Sequence, residues 1–307
     1  MFNEPGFTGA SVMRKLLKWL GYLAGLLLVV VVAVLGIAWV KSENGLKRSY
    51  VVNDPPLAMR RDAASVERGR HLFATRGCAD CHGADAAGRL VFDAGPVIKL
   101  VAPNITPGGV VKAYSADQIA QSIRHGVKSD GHAMVFMPSP EYTGMGDEDT
   151  AALVAYLQSL PPSANHPGAL EIRPLGRVMY AMGSFPLLPA EHIDHAPRAR
   201  FAPAISATAE YGAYVAQGCT GCHGKDFAGQ HVPGTPPSFP SSQNLTPTGL
   251  GKWTSADFHR ALREGKRPDG SDINPFMPWQ AYSKMTDVEI DALWAFLQTL
   301  PPAQTHK

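Results

Sequence analysis

Apolar positions fall into three regimes along the chain. Residues 19–40, "WLGYLAGLLLVVVVAVLGIAWV", are 22 consecutive positions without a charge. At about 1.5 Å per residue such a helix spans roughly 33 Å, enough to cross a hydrocarbon core of about 30 Å. Trp19, Tyr22 and Trp39 stand near its ends, where aromatic side chains gather in membranes. A cleaved signal peptide is the alternative, but its apolar region is usually about 7–15 residues and ends in small residues. This run is longer and continues "GIAWVKSENG". The expected element is an uncleaved anchor within residues 1–48, its start on the cytoplasmic side.

In the second regime, apolar residues recur at helical spacing in short stretches that come in pairs. Ile119 and Ile123 follow Ser115, and Phe258 and Leu262 follow Thr254. Ser115 and Thr254 suit N-caps, and Gly126 and Gly265 suit the C-terminal stops. A last helix starts near Asp147, buries Leu153, Tyr156, Leu157 and Leu160, and stops at two prolines. Its counterpart starts near Asp287 and buries Leu293, Phe296, Leu297 and Leu300. Strand-like alternation is nearly absent, so the fold class reads as all-α.

The pairing is a tandem duplication. "NITPGG" at 104–109 answers "NLTPTG" at 244–249, and "YSADQIAQSIRHG" at 114–126 answers "WTSADFHRALREG" at 253–265. "VFMP" at 135–138 answers "PFMP" at 275–278. The offset stays at 139–141 positions, too long for a solenoid. The expected units are 60–162 and 205–307, each folding on its own. The third regime is the 163–204 linker between them. There "LGRVMYAMG" reads as a short amphipathic helix, followed by a proline-rich strap held down by Phe185, Leu187 and Leu188.

Composition adds a limit. The 307 residues carry a formal charge of +2, which argues against nucleic acid as a partner. All four cysteines lie in "GCADCHGADAAG" at 77–88 and "GCTGCHGKDFAG" at 218–229. Both read C-x-x-C-H, the attachment signature of haem c. Two thiols at i and i+3 share one helical turn and can add to the two vinyl groups of a porphyrin, and the adjacent histidine is carried under the iron. A shared zinc site would need the cysteine pairs far closer in sequence. A thioredoxin-like site would need a βαβ surround, and a disulfide would leave both histidines unexplained. Two covalent haems are expected, on Cys78 and Cys81 and on Cys219 and Cys222, with His82 and His223 on the irons.

The sixth iron ligand has several candidates in the first repeat: Met134, Met137, Met145 and His132. Met137 is preferred, because it aligns with Met277 in the shared Phe-Met-Pro. Met134 and Met285 are expected to pack. Asn104 and Asn244 either reach a haem propionate or serve as turn residues. Tyr114 and Trp253 either donate to propionates or pack at the porphyrin edge. Arg124 and Arg263 align and can pair with a propionate, though an exposed helix end is commoner. His125, His132, His231 and His259 have no repeat partner and are expected at the surface.

The order of haem helix, long loop, helix, methionine loop and terminal helix resembles class I cytochromes c in both repeats. With "APNITPGG" and "ALREGKRPDG", the chain resembles the cytochrome c subunits of membrane-bound bacterial alcohol, aldehyde and gluconate dehydrogenases over about residues 65–302. It departs from them in having two haem motifs where three are usual. The resemblance implies a dihaem electron carrier, with redox proteins as partners: a dehydrogenase, a terminal oxidase or a soluble cytochrome. Two readings compete with a free carrier: a dihaem peroxidase, which needs an iron with an open site, and a subunit with no role outside its complex. Haem attachment takes place on the outer side of the bacterial inner membrane. A single-pass protein with its bulk in the periplasm is therefore expected.

Overall fold

The computed structural model of the chain describes residues 9–236 and 238–306. Of the segment expected to be cytoplasmic, residues 1–8 lie outside the described residues.

One helix, Gly9–Leu46, contains the whole apolar run. Its most apolar window has a mean hydropathy of 2.9, and by length and composition it can cross a bilayer. Most of its side chains are exposed, but near its end Ala38, Ser42 and Gly45 form a buried stripe of small residues.

Each repeat is organised by one crossing pair of helices. Ala63–Thr75 packs on Asp147–Ser159, and Ala209–Val215 packs on Asp287–Leu297. The crossings are close at Gly69 and Gly212. A Cβ at either position would collide with a backbone carbonyl, that of Ala152 or Ala292. The intervening helices, Ala116–His125 and Ser255–Glu264, begin as expected. Ser115 with Gln118, and Thr254 with Asp257, close reciprocal capping boxes. Gly126 and Gly265 end these helices in the left-handed conformation, φ 62° and 67°, where a side chain is strained. One apolar cluster fills each repeat, around Leu153 and around Ile290.

The first repeat, joined by two residues of the linker, also contains strands that the sequence pattern did not predict. β1 (Arg89–Asp93), β2 (Ile98–Ala102) and β3 (Glu171–Ile172) form an antiparallel sheet in that order, Arg89 opposite Ala102 and Ile98 opposite Ile172. The equivalent stretch of the second repeat, "QHVPGTPPSFPSSQ" at 230–243, carries four prolines. Each proline removes a ladder donor, and no strand forms there among the described residues.

The linker is ordered on the first repeat. Its expected helix is Pro174–Ala181, and Phe185, Leu187 and Leu188 are buried in a third cluster with Ile98, Val127 and Tyr180. The two repeats meet through charge. Arg68 donates two bonds to Asp149, at 2.8 and 2.9 Å, and lies 3.8 Å from Glu289. His71 Nε2 lies 2.8 Å from Glu289, and the Tyr214 hydroxyl donates to Asp149 at 2.7 Å.

Candidate functional site

The two cysteine motifs adopt one local structure twice. Cys78–His82 forms a single helical turn, and Thr220–His223 does the same after a short 3₁₀ turn, Ala216–Cys219. The chain then reverses through left-handed backbone at Gly83, Ala86 and Gly88, φ 82°, 60° and 78°, and at Gly224, Phe227 and Gly229, φ 81°, 60° and 79°. The reversal brings Gly88 N–H to the His82 carbonyl and Gly229 N–H to the His223 carbonyl. At Gly88 a Cβ would strike the backbone of residues 102–104, so only glycine fits that approach.

The reversal also fixes the histidines. His82 Nδ1 lies 2.9 Å from the Pro103 carbonyl, and His223 Nδ1 lies 2.7 Å from the Gln243 carbonyl. A carbonyl only accepts, so each Nδ1 carries the proton and each Nε2 presents its lone pair. That is the tautomer an iron requires. Burial lowers the pKa of both rings, against the opposing pull of their carbonyl partners, so both are neutral and able to ligate. The four thiols are unpaired and half-buried. Burial pushes Cys78 and Cys219 up to about 12, and Cys222 up to about 11. None is poised as a thiolate nucleophile at neutral pH. Among the described residues no cluster of three His, Cys, Asp or Glu can hold a metal ion. The chemistry of this donor set fits a covalently held haem: two thiols and a neutral imidazole on one turn.

The methionine loops are also copies. Ser139 N–H bonds to the Met137 carbonyl, and Trp279 N–H to the Met277 carbonyl, both at 2.8 Å. Each methionine packs at the edge of its own repeat's cluster. Met134 N–H bonds to the Gly126 carbonyl where Ile273 N–H bonds to the Gly265 carbonyl. Met134 therefore has isoleucine, which cannot bind iron, as its counterpart. Met145 and Met285 are both buried core residues.

The remaining candidates fall elsewhere. The Asn104 amide donates to the Ser163 and Asn165 carbonyls and accepts from Thr106 N–H and Oγ1. Asn244 repeats this with Ala303, Thr305 and Thr246. Their donors are committed to pinning the chain after the last helix, and the turn-residue alternative describes their contacts. Tyr114 and Trp253, like Met137 and Met277, pack against the clusters of their own repeats. No hydrogen bond to the Tyr114 hydroxyl or the Trp253 indole N–H is formed among the described residues. Arg124, expected more often at an exposed helix end, is buried. It is 2 % exposed, donates to the Met145 carbonyl and pairs with Asp147 at 2.7 Å. Arg263 likewise pairs with Asp287 and bonds to the Ser283 carbonyl.

His125, expected at the surface, is wholly buried. Its Nε2 lies 2.9 Å from Asp54 and 3.2 Å from an Arg200 nitrogen, and its Nδ1 lies 3.0 Å from His195 Nδ1. Asp54, His195 and Arg200 are far from it in sequence, so no local pattern announced the cluster.

The motifs of the two repeats face each other. Arg76 donates to the Val215 carbonyl at 2.7 Å, and the Tyr142 hydroxyl to the Arg76 carbonyl at 2.8 Å. A small cleft between the repeats is lined by Arg76, Glu141, Tyr142, Tyr214 and Gln217. Glu141 escaped the sequence reading because its repeat counterpart is Ala281.

A protein-family model described as Cytochrome c matches residues 66–161 and 209–301. The alcohol dehydrogenase (quinone) cytochrome c subunit of Gluconacetobacter polyoxogenes is 34 % identical over 142 residues, covering 43 % of this chain and 29 % of that protein. The fructose dehydrogenase cytochrome subunit of Gluconobacter japonicus is 36 % identical over 93 residues, covering 28 % and 19 %. A diheme cytochrome c-type protein of Cereibacter sphaeroides is 40 % identical over 63 residues, covering 20 % and 21 %. The chain thus spans less than a third of the length of these relatives.

Proposed function

The chain belongs to the cytochrome c family, and on that premise we propose that it is a membrane-anchored dihaem electron carrier serving a dehydrogenase. The observation that carries the reading is the pair of histidines, His82 and His223, each holding its proton on Nδ1 against a backbone carbonyl. Two independent sites prepared in the same way suit two haems c.

In this reading Cys78 and Cys81, and Cys219 and Cys222, form the thioether links. His82 and Met137 would hold one iron, and His223 and Met277 the other. Bound haem supplies one-electron redox chemistry. The protein sets its direction, because methionine ligation raises the reduction potential and a closed coordination sphere excludes peroxide and oxygen. The Tyr114 hydroxyl and Trp253 indole N–H, unengaged among the described residues, are the donors left for propionates. Gly9–Leu46 anchors the protein in the inner membrane with both repeats in the periplasm. The dehydrogenase partner is supported by the names of the relatives.

The test is a reductive titration of the purified full-length chain with carbon monoxide present. Two electrons should be taken up with no carbon monoxide bound and no peroxide turned over. Stoichiometric carbon monoxide binding at one haem together with peroxide turnover would replace the carrier by a dihaem peroxidase.

A further inference from the structure

The end of the anchor helix is clasped by the linker. The Lys41 ammonium donates to the Ala181 carbonyl at 2.5 Å. The Arg177 guanidinium stacks 3.8 Å over the Trp39 ring, donates to Ser42 Oγ at 2.5 Å and pairs with Glu43 at 2.9 Å. Gly45 leaves room for Tyr180 and Leu188, which a Cβ would displace. The small stripe Ala38, Ser42 and Gly45 is therefore the seat of the Pro174–Ala181 helix.

This clasp sets the height of that helix. Lys41 is the first charge after the apolar run, so it marks where the anchor leaves the hydrocarbon. Trp39 sits at the same level, where aromatic rings prefer the headgroup boundary. Ala181 is bonded at that level, and Arg177 stacks on Trp39 there while its hydrogen bonds reach Ser42 and Glu43, one and two residues beyond Lys41.

The helix has a second face. Gly176, Arg177 and Tyr180 are buried. At 100° per residue, Leu175, Val178 and Met182 fall on the opposite side, at spacing i, i+3 and i+7. Leu175 is 43 % exposed and Met182 77 % exposed, and Val178 is half-buried. An apolar stripe is thus held beside the anchor at the level of the headgroups, and none of its three residues is charged or polar.

We propose that the Pro174–Ala181 helix lies in the membrane interface, with Leu175, Val178 and Met182 against lipid, as a second contact between the protein and the bilayer. The inference rests on the anchor reading of Gly9–Leu46. The occupant is lipid because the stripe belongs to a helix clasped to the end of the anchor, where Ile37 and Val40 are themselves exposed. A helix with one apolar face and a bound polar face is suited to that boundary. Two contacts fix the tilt of the first repeat over the membrane, where one helix alone would leave it free.

Benzoylphenylalanine is placed singly at positions 27, 175, 182 and 201 of the full-length haem-loaded chain. The protein is reconstituted in nanodiscs of phosphatidylcholine and phosphatidylglycerol, irradiated, and examined by mass spectrometry for lipid adducts. Position 27 reports the anchor, and position 201 reports a fully solvated side chain, since Phe201 is 88 % exposed. Adducts at 175 and 182 should approach the yield at 27, with none at 201. Adducts at 27 alone, or crosslinks from 182 to a second copy of the chain, overturn the interfacial helix and leave the anchor standing. No adduct at 27 overturns the anchor, and this inference falls with it.

Discussion

Glu141 of the first repeat lies against Gly221, one of the two residues between Cys219 and Cys222 of the second. A Cβ on Gly221 would overlap the Glu141 carboxylate, so glycine is what allows the contact. One repeat thereby places an acid on the turn that carries the other's cysteines. The arrangement is not mirrored, because Ala281 stands where the second repeat would need its own acid.

Burial pushes the Glu141 carboxyl up to about 7. For an acid raised above its unfolded value, the stabilisation is complete below the unfolded pKa, near 4.5, and is lost as pH rises through about 7. Thermal unfolding of the haem-loaded chain should lose on the order of 1 kcal/mol from this group over that window, after allowance for solvent screening. Glu141→Gln should remove that part of the pH dependence and be the more stable form at pH 8. An unchanged slope would show that the carboxyl is solvated.

The cross-repeat cluster predicts acid sensitivity of opposite sign. Burial alone would raise the Glu289 pKa, but His71, the Thr286 N–H and the charges of His71 and Arg68 bring it to about 2. Its contribution is present above the unfolded value of 4.5 and lost as pH falls towards 2. Arg68→Met takes the ion-pair partner from buried Asp149 and should cost about 3–5 kcal/mol at neutral pH. A fragment of residues 205–307 should still bind one haem, with lower stability and without this acid transition. Calorimetry across pH measures both effects.

Methionine ligation predicts a paired response. Met137→Ala and Met277→Ala should each remove part of the methionine-to-iron band at the red end of the oxidised spectrum. Each should also lower one potential and open one iron to carbon monoxide. Met134→Ala should leave spectrum and potentials unchanged. A spectrum that responds to Met134 and not to Met137 would move the ligand by one turn of the loop.

The buried histidine pair predicts a pH-dependent strap. Burial lowers the His125 pKa, partly offset by Asp54, and the Arg200 charge lowers it further. Stability is then present above the unfolded value near 6.5 and is lost as pH falls towards the lower folded value. His195 donates to the Ala190 carbonyl through Nε2. The strap at 193–200 should therefore be cut by protease faster at pH 5 than at pH 7. His125→Phe should abolish that difference. Equal cutting rates in the native chain would show that the strap is held by its apolar residues alone.

The haem motifs, helix starts and stops, repeat offset and linker helix were legible because each is written in neighbouring residues. Ser115 and Gly126 bracket a helix by local chemistry, and Cys78 to His82 is a single turn. What escaped was long-range. Arg124 and His125 read as an exposed helix end until Asp147, Asp54 and Arg200 covered them. The hairpin of β1 and β2 escaped because "RLVFD" and "IKLVA" lack clean alternation, and the second repeat, its natural comparison, replaces it with prolines. The carbonyls that Asn104 holds, from Ser163 and Asn165, lie beyond the last helix, so its local sequence did not announce them.

Matching the helix crossings at Gly69 and Gly212 puts Arg68 opposite Tyr211 in the alignment of the repeats, and His71 opposite Tyr214. In the shared cluster Arg68 and His71 thus come from one half, and Tyr214 and Tyr211, whose hydroxyl lies 3.5 Å from Glu289, from the other. Two copies of the first half would bring Arg68 towards Arg68. Two copies of the second would leave a buried glutamate facing only tyrosines. The pairs at this face are complementary between unlike halves, and the chain buries them internally.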